Sequence, residues 1–307
     1  MTVTVSDRKR SLEFYQGLFG LPVQHRQGVS TGLRIGPGPG PGSGPQYISL
    51  AQGSGNVRPR IAHFCMTIEG FSVDSVTKAL AGHGVMKGSP GPMKTWLSVR
   101  GPNAGGAEEG TPEFYVGDPD GINVQLQDIS YCGGAGPLGN VCKPIEPAPT
   151  KGLLAIRGLS HFTLGVSDRE RSTAFYQDLF GMPVQARQGV TTLLGVGSNR
   201  QFIAIGGVNG ARPEASNIAH GCFIMEGFNP DKVLKVLADY GVKPRGEASG
   251  PPGPLVSYVS MRMENRGGAK GGTPELYFTD PDGILMQIQD VSYCGGAGYL
   301  GEVCSGS

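Results

Sequence analysis

The strongest constraint on this chain of 307 residues is that most of its sequence occurs twice. Residues 6–28, SDRKRSLEFYQGLFGLPVQHRQG, recur at 167–189 as SDRERSTAFYQDLFGMPVQARQG. Residues 111–142 recur at 273–304, and both segments begin TPE and end in a cysteine. Self-similarity of this length indicates two copies of one folding unit. We therefore predict an N-terminal domain over 1–142, a linker over 143–155 and a C-terminal domain over 156–307.

Charge and hydropathy limit the partners that we expect. The 26 Lys and Arg residues balance 25 Asp and Glu residues, for a formal net charge of +1, and no stretch concentrates the positive charges. The sequence therefore has no concentrated positive charge that would attract nucleic acid or an anionic membrane. No apolar run approaches the roughly 18 residues of a membrane span. We expect a small-molecule partner, no nucleic acid and no membrane, with the chain acting as a monomer or a homodimer.

Each half has the same order of predicted elements. Residues 161–167, HFTLGVS, alternate as a strand does, and a helix capped by Ser167 follows and ends at Gly181. A second module opens with a strand over 218–226, followed by a helix with Asn229 as its N-cap and then by further strands. This pattern predicts an α+β fold. Each half is expected to be a pair of βαβββ modules that form curved mixed sheets around a cleft.

Strand alternation places several polar side chains on one face of the C-terminal sheet. His161 and Thr163 share a face of the first strand, and Gln287 and Gln289 share a face of the last. His220 and Cys222 line up in the same way on the strand between them. Two neutral imidazoles on a concave surface suit a divalent metal ion. The alternative is that these histidines are hydrogen-bonded core residues.

The motif FYQxLFG(L/M)PV, a histidine on a mid-domain strand, and DPDGxxxQ together resemble the vicinal oxygen chelate superfamily. This superfamily comprises glyoxalases, bleomycin resistance proteins and extradiol dioxygenases, and the resemblance covers nearly the whole chain twice. It implies that His161, His220 and Gln287 are metal ligands. Extradiol dioxygenases usually have Glu at the last of these positions. The implied cofactor is a divalent ion, Fe(II) first, with Mn, Zn or Ni as the other choices.

The N-terminal half gives a less complete set. His63 and Gln125 are the counterparts of His220 and Gln287, whereas the counterpart of His161 would fall one residue before Met1. We therefore expect the first strand to be truncated relative to the repeat. This half is expected to have a structural or substrate-shaping role.

Three functions remain open on this basis. The first is a metal-dependent enzyme acting on a small oxygen-chelating, catechol-like substrate, nearest in layout to the extradiol dioxygenases. A glyoxalase-like lyase or isomerase is the second, and a metal-free small-molecule binding protein of the bleomycin resistance type, without a cofactor, is the third. Enzymatic activity is favoured but left open, because His25, His63 and His83 have no evident acid–base role. The candidate residues of the substrate cleft are Cys222, Tyr258, Tyr277 and Gln289.

Four of the six cysteines form two repeat-related pairs, Cys132 with Cys142 and Cys294 with Cys304. Glycine-rich segments separate the members of each pair and let so short a loop close, so we predict local disulfides. A thiolate metal site and free thiols are the alternatives. Disulfides favour an exported or periplasmic protein whose leader was removed with the start of the first strand; the cytoplasm is the alternative.

Overall fold

The computed structural model describes residues 1–38, 40–198, 200–208, 215–247 and 250–304. Pro39, in the glycine- and proline-rich insertion, and residues 305–307, at the end of the predicted C-terminal domain, lie outside them. Within the described residues, each half of the chain forms one mixed sheet of nine strands. The α+β fold predicted from the repeat is confirmed, with one sheet for each copy.

The elements of the N-terminal half follow the predicted order, with a two-residue strand added to its second module. They are β1 Thr2–Val5, α1 Arg8–Phe19, β2 Val23–Gln27, β3 Ser30–Gly36, β4 Gln46–Gln52, β5 Arg60–Ile68, α2 Val73–Gly82, β6 Met86–Lys87, β7 Lys94–Arg100, β8 Thr111–Gly117 and β9 Asn123–Asp128. In the sheet the strands run in the order β2-β3-β4-β1-β5-β9-β8-β7-β6.

The C-terminal half repeats this arrangement. Its elements are β10 Ile156–Val166, α3 Arg169–Phe180, β11 Val184–Gln188, β12 Thr191–Gly195, β13 Phe202–Gly207, β14 Asn217–Met225, α4 Pro230–Asp239, β15 Lys243–Pro244, β16 Val256–Arg262, β17 Thr273–Thr279 and β18 Leu285–Asp290. The strand order is β11-β12-β13-β10-β14-β18-β17-β16-β15. The first strands of the two modules, β10 and β14, are therefore neighbours at the centre, and β18 lies beside β14.

Capping residues set where the helices begin. The predicted cap Asn229 accepts a hydrogen bond from the Lys232 amide, and Pro230 opens α4. The cap of α3 is Asp168 instead of the predicted Ser167, because the Asp168 carboxylate accepts from the Arg171 amide. Ser167 is free to contact the other half of the chain. Gly181 ends α3 with a φ of 65°, a conformation that glycine adopts without steric cost.

The first helix of each half also packs on the other half. In α1, the Phe19 ring lies 5.4 Å from Phe223 and 6.0 Å from Phe278, measured between ring centroids. Tyr240, which follows α4, donates its hydroxyl to the carbonyl of Phe14. In this way α1 covers strands β14 and β17, and the cores of the two halves merge into one apolar cluster.

The two DPDG turns join the halves reciprocally. Asp118 accepts two amide hydrogen bonds within its own turn through Oδ1 and the Tyr176 hydroxyl of the other half through Oδ2, at 3.2 Å. Asp280 accepts the Tyr15 hydroxyl at the same distance. The second carboxylate of the N-terminal turn, Asp120, pairs with Ser167 and Arg171. Asp282 receives Ser6 and Arg10 in the equivalent way.

The linker contacts the N-terminal half. The Val23 amide donates to the carbonyl of Glu146 at 2.8 Å, and the Glu146 carboxylate pairs with Arg26. A bridge to the edge strand β2 therefore holds the linker beside the first sheet.

Both predicted cysteine pairs are found at disulfide-bonding distance. The Cα atoms of Cys132 and Cys142 are 6.3 Å apart, as are those of Cys294 and Cys304, within the range of protein disulfides. In the described part of the chain, no helix is long and apolar enough to cross a membrane.

Removing the Tyr176 hydroxyl should weaken the contact between the halves. In Tyr176→Phe, the buried Asp118 carboxylate loses the hydroxyl that donates to its Oδ2, and water does not replace this donor. We therefore expect the free energy of unfolding to fall by about 1–3 kcal/mol. Urea denaturation followed by circular dichroism measures the change. Tyr299→Phe is the matched control, because Tyr299 is 55% exposed. Equal stabilities of the two variants would contradict the role given to this hydrogen bond.

Candidate functional site

The three residues aligned with metal ligands come together on adjacent strands of the C-terminal sheet. His161 lies on β10, His220 on β14 and Gln287 on β18. Their side chains are 4%, 8% and 1% exposed, respectively. The concave face that holds them is called the C-terminal cup below. These segments are distant in the chain, and they meet because β14 pairs in parallel with β18, which sets Cys222 opposite Gln287.

The Gln287 carboxamide stands between the two imidazoles. His220 Nε2 lies 3.0 Å from Gln287 Oε1 and 3.1 Å from the Thr163 hydroxyl oxygen. Because Oε1 only accepts, this contact places the imidazole proton of His220 on Nε2. The His161 ring lies edge to face with that of His220, with ring centroids 5.5 Å apart, and its Nδ1 is 3.2 Å from the Ser160 hydroxyl oxygen. The Gln287 Nε2 group has no partner among the described residues and is buried.

Burial keeps both imidazoles neutral. It lowers the pKa of His220 to about 4 and that of His161 well below 6.5, and the proximity of His220 lowers the pKa of His161 further. A neutral imidazole offers a lone pair without first releasing a proton to solvent. Both rings are therefore neutral, as a metal ligand requires, and binding a metal through His220 Nε2 would also require its proton to move to Nδ1.

The separation of the donor atoms suits one divalent ion. Two donors bound at right angles with bonds of about 2.1 Å lie about 3.0 Å apart. His220 Nε2 and Gln287 Oε1 have this separation, and the Thr163 oxygen is 3.1 Å from the same nitrogen. Two imidazole nitrogens with neutral oxygen donors form a set of borderline character, which Fe(II), Mn, Zn and Ni accept. The His220 and Gln287 donors therefore fit a divalent metal, and the His161 ring lies beside them with its centroid 5.5 Å from that of His220.

A buried charge pair lies deeper in the cup, and sequence reasoning missed it. Arg262 is 0% exposed and donates through Nε to Glu275, at 2.8 Å. The hydroxyls of Tyr277 and Tyr293 donate to the same carboxylate. The signal that would have found this pair is the repeat, since Arg100 and Glu113 make the equivalent contact at 2.9 Å. A charge pair that is found at the same positions in both copies of the repeat indicates a buried hydrogen-bond network.

The predicted cleft residues occupy the wall of the cup. Tyr258 and Tyr277 stack with ring centroids 5.3 Å apart, and Tyr277 meets His220 edge to face at 5.3 Å. Arg245 lies over the outer face of Tyr258. Cys222 and Gln289 are each 0% exposed, and Gln289 Nε2 donates to the Pro274 carbonyl. Both are buried in the wall and line no open cleft in this structure.

In the N-terminal half, the two expected counterparts are also together. His63 and Gln125 lie on the paired strands β5 and β9, where Cys65 is the register partner of Gln125, and burial lowers the pKa of His63 to about 3. Thr2 is the register partner of His63, as Thr163 is of His220. The position that corresponds to His161 precedes Met1, so the described residues of this half bring two members of the set together.

A cavity of about 490 Å³ lies between the halves. Ser160, His161 and Phe202 line it from the C-terminal half, and Tyr47 and Cys65 line it from the N-terminal half. It touches His161 at the edge of the cup.

Comparison with known proteins agrees with the fold. Residues 158–288 match the sequence profile of the Glyoxalase/Bleomycin resistance protein/Dioxygenase superfamily. No curated protein sequence matches the chain. The solved structures named below are at most 20% identical to this chain and show the fold alone.

Three of these structures illustrate the range. The Mn(II)-bound glyoxalase from Novosphingobium aromaticivorans has a TM-score of 0.59 at 16% identity, over 94% of this chain and 79% of that one. Homoprotocatechuate 2,3-dioxygenase from Arthrobacter globiformis has a TM-score of 0.61 at 20% identity, over 94% and 77%. A 2,3-dioxygenase from Pseudomonas sp. KL28 has a TM-score of 0.60 at 15% identity, over 94% and 89%.

The buried imidazoles predict that acid destabilises the fold. Unfolded histidines have a pKa near 6.5, so on acidification the unfolded chain binds protons that the folded chain does not, and the free energy of unfolding falls. The imidazoles with lowered pKa are those of His25, His63, His161 and His220. Burial raises the pKa of Asp118 and Asp280 to about 6, which acts in the opposite sense between pH 6 and 3.8.

Four imidazoles outweigh two carboxyls, so the net loss between pH 6.5 and 5.5 should be about 2–3 kcal/mol. Urea denaturation at the two pH values measures it. Stability that is unchanged or greater at pH 5.5 would show that these imidazoles titrate in the folded state.

Proposed function

Because residues 158–288 match the family model of the Glyoxalase/Bleomycin resistance protein/Dioxygenase superfamily, we propose that the C-terminal half binds a divalent metal ion and acts on a small molecule with two neighbouring oxygens. The ligands would be His161, His220 and Gln287. The observation that carries the proposal is the meeting of two neutral, buried imidazoles, with ring centroids 5.5 Å apart, and a carboxamide oxygen 3.0 Å from His220 Nε2. Fe(II) is the first choice, and the Mn(II) of one structural neighbour is the second.

The ion, when bound, supplies Lewis acidity and a template for the two oxygens of the substrate. Gln287 presents a neutral oxygen, so none of the ion's charge is offset by the proposed protein ligands. A substrate that binds as an anion therefore complements the site better than a neutral one. Catecholates and other enediolates have this chemistry, and the dioxygenases among the structural neighbours are named for such diols.

The chain's own residues limit the proton chemistry. Burial and the neighbouring Glu275 carboxylate raise the pKa of Tyr277 well above 10, so its hydroxyl stays protonated and serves as a hydrogen-bond donor. Arg262 holds Glu275 in its ion pair and keeps that carboxylate from acting as a base. The C-terminal half contains two histidines, and both are proposed ligands. No further imidazole in this half can serve as the acid–base group that ring cleavage would need.

A metal-free binding protein is the second candidate. The direct hydrogen bond between His220 and Gln287 favours it, because the two groups satisfy each other without an ion. The two candidates differ in one measurable property, the stoichiometry of bound metal.

Replacing His220 by Ala should abolish metal binding. We expect wild-type protein to bind about one Fe(II) or Mn(II) per chain, and His220→Ala to lose at least 90% of it, since one imidazole ligand is gone. Elemental analysis after anaerobic loading and gel filtration gives the ratio. His83→Ala is the control, because His83 lies on an exposed position after α2. Wild-type protein without bound metal would overturn the metal proposal and leave the binding protein.

Replacing Gln287 by Glu should raise metal affinity. A carboxylate offsets the charge of the ion, so we expect Mn(II) to bind at least tenfold more tightly to Gln287→Glu. The metal-free variant should be less stable, because its carboxylate is buried. Electron paramagnetic resonance of free Mn(II) during titration measures the dissociation constant, and oxygen uptake with catechols tests for dioxygenase activity.

Gln125→Glu makes the same change in the N-terminal half and is the matched control. It should leave the Mn(II) affinity of the C-terminal site within twofold of wild type. Equal tightening by both variants would argue against assigning the ion to the C-terminal cup.

A further inference from the structure

The candidate ligands are almost inaccessible, and a short segment closes the cup that contains them. Residues 293–304, called the cover loop here, follow β18 and contact strands of both modules of the C-terminal half. His161 is reached from the cavity between the halves, whereas access to His220 and Gln287, which are 8% and 1% exposed, requires some part of this wall to move.

On the side of the first module, the cover loop lies directly on the sheet. Gln188 Nε2 donates to the Gly295 carbonyl at 3.0 Å. A Cβ atom at Gly295 would lie 2.1 Å from Leu193 and 3.1 Å from Phe202, so only glycine fits this contact. The φ of 81° at Gly295 also favours glycine.

On the side of the second module, the buried charge pair holds the loop. Arg262 Nη2 donates to the Gly296 carbonyl at 2.9 Å. The Thr273 hydroxyl donates to the Gly298 carbonyl at 2.6 Å. The charged group that pairs with Glu275 therefore also fastens the loop across the cup.

Tyr293 connects the cover loop to the candidate ligands. Its ring centroid is 5.7 Å from that of His161 and 6.1 Å from that of Phe202. Its hydroxyl donates to Glu275 at 3.2 Å and accepts from Gln188 at 3.1 Å. With the loop in place, this phenol ring fills space beside His161 that a ligand would otherwise reach.

The Cys294–Cys304 disulfide closes the base of the loop. Closing this short ring restricts the conformations of the loop. Without the bond, the loop would keep its position mainly through hydrogen bonds to its glycine carbonyls.

We propose that the cover loop is a redox-controlled cover of the C-terminal cup: the Cys294–Cys304 disulfide holds it shut, and reduction lets it open. A dithiol reductant gives two electrons and two protons; the Cys294–Cys304 bond becomes two thiols while the dithiol becomes a disulfide. The proposal rests on the proposed function in treating the cup as a metal site. The closure itself concerns only the chain, so the two can fail separately.

Cys222 reports on access to the cup without any metal. It is 0% exposed, lies two residues beyond His220 and is the register partner of Gln287. Cys65, the other cysteine outside the disulfides, is partly exposed and gives an internal reference for the reagent.

The experiment measures alkylation of Cys222 by iodoacetamide, followed by peptide mass spectrometry. In the double variant Cys294→Ser/Cys304→Ser, we expect the alkylation rate to rise at least tenfold over oxidised wild type. The double variant Cys132→Ser/Cys142→Ser removes the equivalent bond of the N-terminal half. It should leave the Cys222 rate within twofold of wild type.

Local opening and unfolding are separated by repeating the measurement in 1 M urea. A Cys222 rate that urea leaves unchanged reports movement of the loop, whereas a rate that climbs with urea reports global unfolding and counts against the proposal. If the double serine variant does not fold, Gln188→Ala in the disulfide-intact protein removes one anchor and should raise the rate at least threefold.

An unchanged Cys222 rate in a folded Cys294→Ser/Cys304→Ser variant would overturn the proposal and direct attention to the cavity between the halves. For protein that binds Mn(II), the variant should also take up the ion at least tenfold faster than oxidised wild type. If Cys222 is alkylated faster in the variant and the protein binds no metal, the result would support the proposed cover and contradict the proposed metal site.

Discussion

The structure depends on an exchange between the two copies of the repeat. Each copy leaves a surface that the other completes: α1 covers strands of the C-terminal half, and the Asp118 turn receives Tyr176 while the Asp280 turn receives Tyr15. Burial makes these contacts between the halves necessary, because a carboxylate removed from water needs its full set of hydrogen-bond donors. Each aspartate obtains two amides from its own turn and one hydroxyl from the other half. The halves are therefore parts of one structure, and the orientation of each cup follows from the other copy.

The same rule governs the candidate site. Two histidines and a glutamine are buried within one concave surface, where a charge without a partner would cost several kcal/mol. Neutral imidazoles and a neutral carboxamide avoid that cost while the site is empty. A glutamate at position 287 would bind a cation more strongly, yet in the empty cup it would be a buried anion. The glutamine at this position therefore favours the stability of the metal-free fold.

The buried pair of Arg262 and Glu275 links the site to its cover. One side chain, Arg262, satisfies the carboxylate that accepts from Tyr277 and Tyr293 and also the carbonyl of Gly296. Movement of the loop would take the Gly296 carbonyl away from Arg262 and the Tyr293 hydroxyl away from Glu275. Water would have to enter to replace these partners. Opening of the cup and hydration of its interior are therefore expected to occur together.

Much of the architecture follows from the sequence alone. The repeat determined that there are two units, alternation determined the strands, and Asn229 and Gly181 marked helix boundaries because capping chemistry is local. The resemblance to the vicinal oxygen chelate superfamily singled out His161, His220 and Gln287, and strand alternation allowed them to share one surface. Only the tertiary structure decided that the DPDG turns bind the opposite half, that Asp168 instead of Ser167 caps α3, and that a disulfide loop closes the cup. These contacts join residues far apart in the chain, and their free energy depends on burial, which no local pattern specifies.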